Sequence, residues 1–160
     1  MKIAIIMGSL TDLKCLRPGI KILKSLHIKT HVEVVSAHRT PEKMLTFAKS
    51  AHEKGFSIII AAAGGAAHLP GMVASLTPLP VIGVPVTVGK LKGLDALLSI
   101  AQMPKGIPVA CVAIDNSENA ALLAARMLGI SNKKIQKKMI DQLKKNSAKV
   151  KLMNKKLKRS

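Results

Sequence analysis

Lys2-Ile3-Ala4-Ile5-Ile6-Met7-Gly8-Ser9-Leu10-Thr11-Asp12 runs five apolar residues into a glycine and then into a cluster of hydroxyl and carboxylate side chains. A short apolar run without polar alternation reads as a strand covered on both faces. The glycine after it permits a tight turn, and Leu13–Leu26 then carries apolar residues at helical spacing. The unit recurs. His31–Val35, Ser57–Ala62, Pro80–Val86 and Pro108–Ile114 read as further buried strands, and Pro41–Lys54, Leu69–Leu76, Leu94–Gln102 and Asn119–Leu128 as helices between and after them. Five β-α repeats predict an α/β fold, a three-layer doubly wound parallel sheet of the flavodoxin type with right-handed crossovers. Ligands should bind at the carboxyl ends of its strands.

The length of 160 residues suits one main domain, and 48% hydrophobic content is ample for its core. The opening apolar run is too short for a secretory signal or a membrane span, so a cytoplasmic enzyme is expected. Cys15 and Cys111 form no Cys-x-x-Cys pair, and neither a disulfide nor a thiolate metal site is indicated. The formal net charge of +18 is unevenly spread. Residues 1–130 hold 14 Lys/Arg against 7 Asp/Glu, a net +7, and residues 131–160 hold 12 against 1, a net +11. This shift divides the chain into a catalytic α/β domain at 1–130 and a lysine-rich C-terminal helix or tail at 131–160. In the tail Ile135, Met139, Leu143, Val150 and Leu157 recur at spacings of four or seven, the pattern of an amphipathic helix with a solvated lysine face. Nucleic acid is not the expected partner, because Trp and Tyr are absent and only Phe47 and Phe56 could stack bases.

Three loops converge on the predicted ligand rim. In Gly8-Ser9-Leu10-Thr11-Asp12 the turn suits phosphate at a helix start, with Ser9 and Thr11 as hydroxyl donors. Asp12 is either an acceptor for ribose hydroxyls or a helix N-cap. The loop matches neither a Walker pattern nor Gly-x-Gly-x-x-Gly, so ATP and dinucleotide cofactors are not indicated. Ser36-Ala37-His38-Arg39-Thr40-Pro41 joins an imidazole to a guanidinium fork suited to phosphate, and Pro41 is placed to begin a helix. His38 is the acid/base candidate, since an unperturbed imidazole titrates near neutrality and this one sits beside an anion site. Ala63-Gly64-Gly65-Ala66-Ala67-His68-Leu69 offers small residues against which a flat ligand can lie. His68 either orients ligand groups or packs at a helix start. His27, His31 and His52 read as structural or solvated, and no metal site is expected because neither His38 nor His68 has a carboxylate or cysteine at ligand spacing.

Six motifs in order, Gly8-Ser-x-Thr-Asp12, Ser36-Ala-His-Arg-Thr-Pro41, Ala63-Gly-Gly-Ala-Ala-His-Leu-Pro-Gly-Met72, Gly83-Val-Pro-Val86, Gln102-Met-Pro-x-Gly-Ile-Pro108 and Asn119-Ala-Ala-Leu-Leu-Ala124, resemble the PurE family of purine biosynthesis over residues 2–128. The resemblance implies a mutase that converts 5-(carboxyamino)imidazole ribonucleotide into 4-carboxy-5-aminoimidazole ribonucleotide without metal or organic cofactor. It implies Ser9, Asp12 and Arg39 as substrate-binding residues and His38 as the acid/base, with Thr11, Ser36, Gly64, Gly65, Ala66, His68 and Leu69 completing the expected substrate site. It also implies a homo-octamer with shared active sites, which suits the nearly all-round apolar character of residues 93–103 and 119–125. Family members that use carbon dioxide and the unsubstituted aminoimidazole nucleotide typically carry Lys at the position of Arg39, so Arg39 and Pro41 favour the mutase. The alternatives are that carboxylase and, from another class, a nucleic-acid-binding protein working through the +11 tail. Three departures stand out: Thr11 where the family usually has Ser, a loop at 114–119 about two residues shorter than usual, and the lysine-rich tail.

Overall fold

The computed structural model describes residues 1–158. The described residues form two compact units that divide between Ala124 and Ala125. Strand β1 (Lys2–Met7) leads through a 3-10 turn at Leu10–Asp12 into α1 (Leu13–Ser25), and β2 (Lys29–Val34) leads into α2 (Pro41–Ser50). Next come β3 (Phe56–Gly64), α3 (Leu69–Ala74), β4 (Val81–Val86), α4 (Leu94–Ala101), β5 (Ala110–Cys111), α5 (Ser117–Gly129) and α6 (Lys133–Leu157). All strand pairs are parallel, in the order β2-β1-β3-β4-β5. The expected three-layer doubly wound sheet is present, and the order reverses between β1 and β3, where such folds open a crevice.

Alternation along the strands divides the core between two faces. On one, Ala4, Ile6, Ile59, Ala61 and Ala63 pack with Met44, Phe47 and Ala48 of α2, Leu69 and Val73 of α3, and Ala96 and Ile100 of α4. On the other, Ile3, Ile5, Met7, Ile58 and Ile60 are equally buried. Each large side chain so removed from water contributes about 1.5–3 kcal/mol.

One serine fastens α1 to α5. The buried Ser117 hydroxyl donates to the Cys15 carbonyl and accepts from the Gly19 N–H at 3.2 Å. Those two groups would bond each other in a regular turn. Between them lies Pro18, which has no N–H to offer. Glycine is required at 19 because a Cβ there would lie 2.4 Å from the Ser117 carbonyl oxygen.

Two strands depart from expectation. β2 begins two residues earlier than predicted, and it is half-exposed rather than covered on both faces, with Val32 and Val34 open to solvent. It is an edge strand, and its sequence, Lys-Thr-His-Val-Glu-Val, does alternate. Lys43 and His31 each contact the Glu33 carboxylate at 2.8 Å and place charge along this edge, a usual guard against intermolecular pairing. β5 shrinks from the predicted Pro108–Ile114 to two residues. Its chain stays beside β4, with Val112 N bonded to Gly83 O and Asp115 N to Pro85 O. Pro85 has no N–H to return, so the ladder cannot continue.

α6 is a single helix of 25 residues, capped by Asn132 through the N–H groups of Lys134 and Ile135. Of its predicted apolar stripe only Ile135 and Met139 are buried, while Leu143, Val150 and Leu157 are exposed. Residues 120, 121, 124 and 125 of α5, all alanine, are fully buried, while Leu122 and Leu123 of the same run stay partly exposed. α4 differs, leaving Leu94 51% and Leu98 49% exposed.

Candidate active site

The β1 loop folds on itself. Ser9 N–H donates to Asp12 Oδ2 at 3.0 Å and Thr11 N–H to Ser9 Oγ at 3.4 Å, a reciprocal cap on the 3-10 turn that precedes α1. Asp12 therefore serves as the closing carboxylate of this turn, and its side chain makes no capping bond to α1 itself. Burial pushes the Asp12 carboxyl up from its ordinary value. The hydrogen bonds from Ser9, Thr11 and Gly8 and the nearby Arg39 charge work against that rise. The conflict leaves a dry, preorganised acceptor at the rim.

The β2 loop brings Arg39 across to the β1 loop. Its Nη2 donates to the Gly8 carbonyl at 2.7 Å and its Nε to Ser36 Oγ at 3.3 Å. Ser36 is itself buried and also accepts from the Arg39 N–H. Thr40 Oγ1 bonds the Ser36 carbonyl at 3.0 Å, and Pro41 occupies the first turn of α2, so the loop is tied at both ends. The guanidinium thus spans two loops before any ligand arrives.

His68 stands at the N-cap of α3, yet its side chain makes no capping bond. Its Nδ1 lies instead 2.9 Å from His38 Nε2, with the rings nearly perpendicular at 86° and 4.9 Å between centroids. Two ring nitrogens at that distance share one hydrogen: one donates and the other accepts. A proton gained by His38 can be held or passed along this contact.

These loops enclose one cleft of about 400 Å³. Ser9, Thr11 and Asp12 line it from the β1 loop, Ser36, His38 and Arg39 from the β2 loop, and Gly64, Ala66, His68 and Leu69 from the β3 loop. Of the residues singled out in the sequence, Gly65 alone stands outside this lining. Its φ of +64° makes it the turning point of the loop rather than part of the wall. The sequence reading missed Val88, which reaches the cleft from a fourth loop, after β4. The rule that ligands bind at strand carboxyl ends applies to that loop too, but Val86-Thr87-Val88 looks like more strand. Among the described residues no cluster of three or more His, Cys, Asp or Glu side chains is suited to hold a metal ion.

Hydroxyl side chains, an arginine fork, a buried carboxylate and a histidine pair around a glycine-alanine wall suit a phosphorylated ribose attached to a small flat base. The family model for AIR carboxylase matches residues 2–149. The chain belongs to the AIR carboxylase family. Within that family it is 59% identical over 138 residues to the N5-carboxyaminoimidazole ribonucleotide mutase of Saccharolobus solfataricus, covering 86% of this chain and 87% of that protein. It is 58% identical over 134 residues to the chloroplastic phosphoribosylaminoimidazole carboxylase of Vigna aconitifolia, where the match covers 84% of this chain but spans only 24% of that protein. A crystal structure of Treponema denticola PurE superposes with a TM-score of 0.89 at 29% identity, covering 98% of each chain. The PurE resemblance drawn from six motifs and the flavodoxin-like architecture are both upheld by these matches. No helix among the described residues is long and apolar enough to cross a membrane.

Proposed function

We propose that this AIR carboxylase family member is an N5-carboxyaminoimidazole ribonucleotide mutase, an isomerase of purine biosynthesis. The observation that carries the reading is the meeting, in one cleft, of the His38–His68 pair with Arg39, Ser9 and Asp12. Relatives bearing the mutase name are 54–59% identical over most of the chain. Ser9, Thr11 and Arg39 hold the phosphate, Asp12 accepts from ribose hydroxyls, and the small residues of the β3 loop receive the ring and its carboxyl group. Binding at the phosphate, remote from the reacting atoms, fixes the ring against His38.

The reaction balances within the substrate. The N–C bond of the carbamate breaks, its electron pair returns to nitrogen, and nitrogen takes up a proton as carbon dioxide is freed. C4 of the electron-rich ring then attacks carbon dioxide, and loss of the C4 proton restores aromaticity. Protonated His38 supplies that first proton to nitrogen and, then neutral, removes the C4 proton, so the His38–His68 pair ends the cycle in the protonation state in which it began.

The Vigna relative's name, a carboxylase, favours the second reading, in which free carbon dioxide and the unsubstituted aminoimidazole nucleotide are the substrates. Supplying each nucleotide separately to micromolar enzyme separates the two. Turnover of the carbamate without added bicarbonate supports the mutase, and turnover of the aminoimidazole nucleotide alone, dependent on bicarbonate, sinks it.

The proposal extends to assembly and place. The exposed Leu94 and Leu98 are the surface we assign to subunit contacts of a homo-octamer with shared active sites in the cytoplasm, and light scattering of the purified chain measures its size. Residues 1–130 then carry the catalysis, and the lysine face of 131–160 remains solvated.

A further inference from the structure

We propose that Val88 is the residue that keeps the freed carbon dioxide in the cleft between the two halves of the reaction. This rests on the mutase reading. Carbon dioxide is linear and carries no net charge, so Arg39 and Asp12, suited to phosphate and ribose, have little hold on it. Its retention depends on shape and on a wall that does not order water. Val88 is such a wall. Its branched side chain sits directly on Gly64, where a Cβ would come within 2.3 Å of Val88 Cγ2, so the two positions share a single volume. The side chain also faces the cleft, 49% exposed, where it has apolar surface and no group to anchor a water molecule.

Its placement is fixed from behind. Thr87 N–H donates to Asp115 Oδ1 at 3.0 Å and Thr87 Oγ1 to the Lys92 carbonyl at 3.4 Å. Left-handed Gly89, Lys92 and Gly93, at φ +61°, +49° and +88°, then turn the chain back into α4. Asp115 is itself left-handed, at φ +56°, on the loop after β5 that is shorter than usual in the family. Val88 thus stands on a stapled turn beside the glycine against which the migrating carboxyl group lies.

The test follows the origin of the product's carboxyl carbon. Unlabelled carbamate is turned over in ¹³C-bicarbonate buffer, with carbonic anhydrase present to equilibrate carbon dioxide, and the carboxyl label in the product and the free aminoimidazole nucleotide are measured. Val88→Thr keeps the volume while adding a hydroxyl, and Val88→Ala opens space, so one variant remains informative if the other folds poorly. Both should raise label incorporation and nucleotide release severalfold over wild type, with the KM for nucleotide changed by no more than about twofold. Wild-type retention in both variants overturns the role of Val88. A wild-type enzyme whose product is fully labelled, or which leaves the carbamate untouched, instead overturns the mutase reading on which the role depends.

Discussion

His38 Nε2 and His68 Nδ1 lie 2.9 Å apart, joining the ends of two strands through a pair of imidazoles from positions thirty residues apart. In the proposed mutase reaction this contact makes His68 a positioning residue for His38, because the partner fixes the orientation of the imidazole. Replacing His68 with Phe keeps a flat ring and removes the partner. We expect kcat to fall about 10- to 100-fold with KM little changed, against a loss of about 10²–10⁴ or more in His38→Asn. Steady-state kinetics on the carbamate checks both, and an unchanged kcat in His68→Phe refutes the pairing role.

Arg39 holds two loops at once, through Gly8 O and Ser36 Oγ. Lys has the charge but not the planar fork. Arg39→Lys should raise the KM for nucleotide about tenfold, the equivalent of one lost charge-assisted bond, while the variant stays folded. Isothermal calorimetry with substrate or product reads the same loss as weaker binding, and wild-type affinity would refute it.

Gly19→Ala drives a methyl group into the Ser117 carbonyl. The backbone of α1 or α5 must move, and overpacking of this kind costs about 1–3 kcal/mol. A lower urea midpoint is the expected result. Alanine's better helix propensity would raise the midpoint if the close approach were relieved at no cost.

Glu33 couples the edge strand to pH. The hydrogen bonds from Lys43 and then His31 hold its carboxyl below the ordinary glutamate range. A depressed acid in the folded state adds stability that is present above the unfolded value, about 4.3, and is lost as pH falls through the folded value. The Tm difference between wild type and Glu33→Gln should therefore be largest above about pH 5 and close as the medium is acidified below that range. A difference independent of pH between 3 and 7 contradicts the assignment.

The strands that are buried on both faces were easily read, because Ile58-Ile59-Ile60 and Val81-Ile82 have no polar face to misplace. In β2 the alternation of Lys-Thr-His-Val-Glu-Val is visible, but its valines face solvent, so which face is covered follows from the strand's edge position and not from composition. β5 was overextended because the limit on it comes from Pro85, a residue of its neighbour. In the cleft, the side chains with evident chemistry were legible from type and spacing. Val88 was not, since valine after a valine-rich strand carries no signal until Gly64 is seen to make room for it. The reach of His68 toward His38 was equally hidden, because a helix N-cap that caps nothing cannot be told from one that does.

The serine lodged in the first helix also has a meaning for the order in which the chain acquires structure. Ser117 is 98 residues beyond Gly19, so during synthesis the middle of α1 emerges long before the hydroxyl that completes it. Until then the Cys15 carbonyl and Gly19 amide have only water or each other, next to a proline that weakens the turn. The helix behind the Ser9–Asp12 turn is therefore completed only when the start of α5 reaches it. Chains truncated before Ser117 would lack the hydroxyl that satisfies this break in α1 behind that turn.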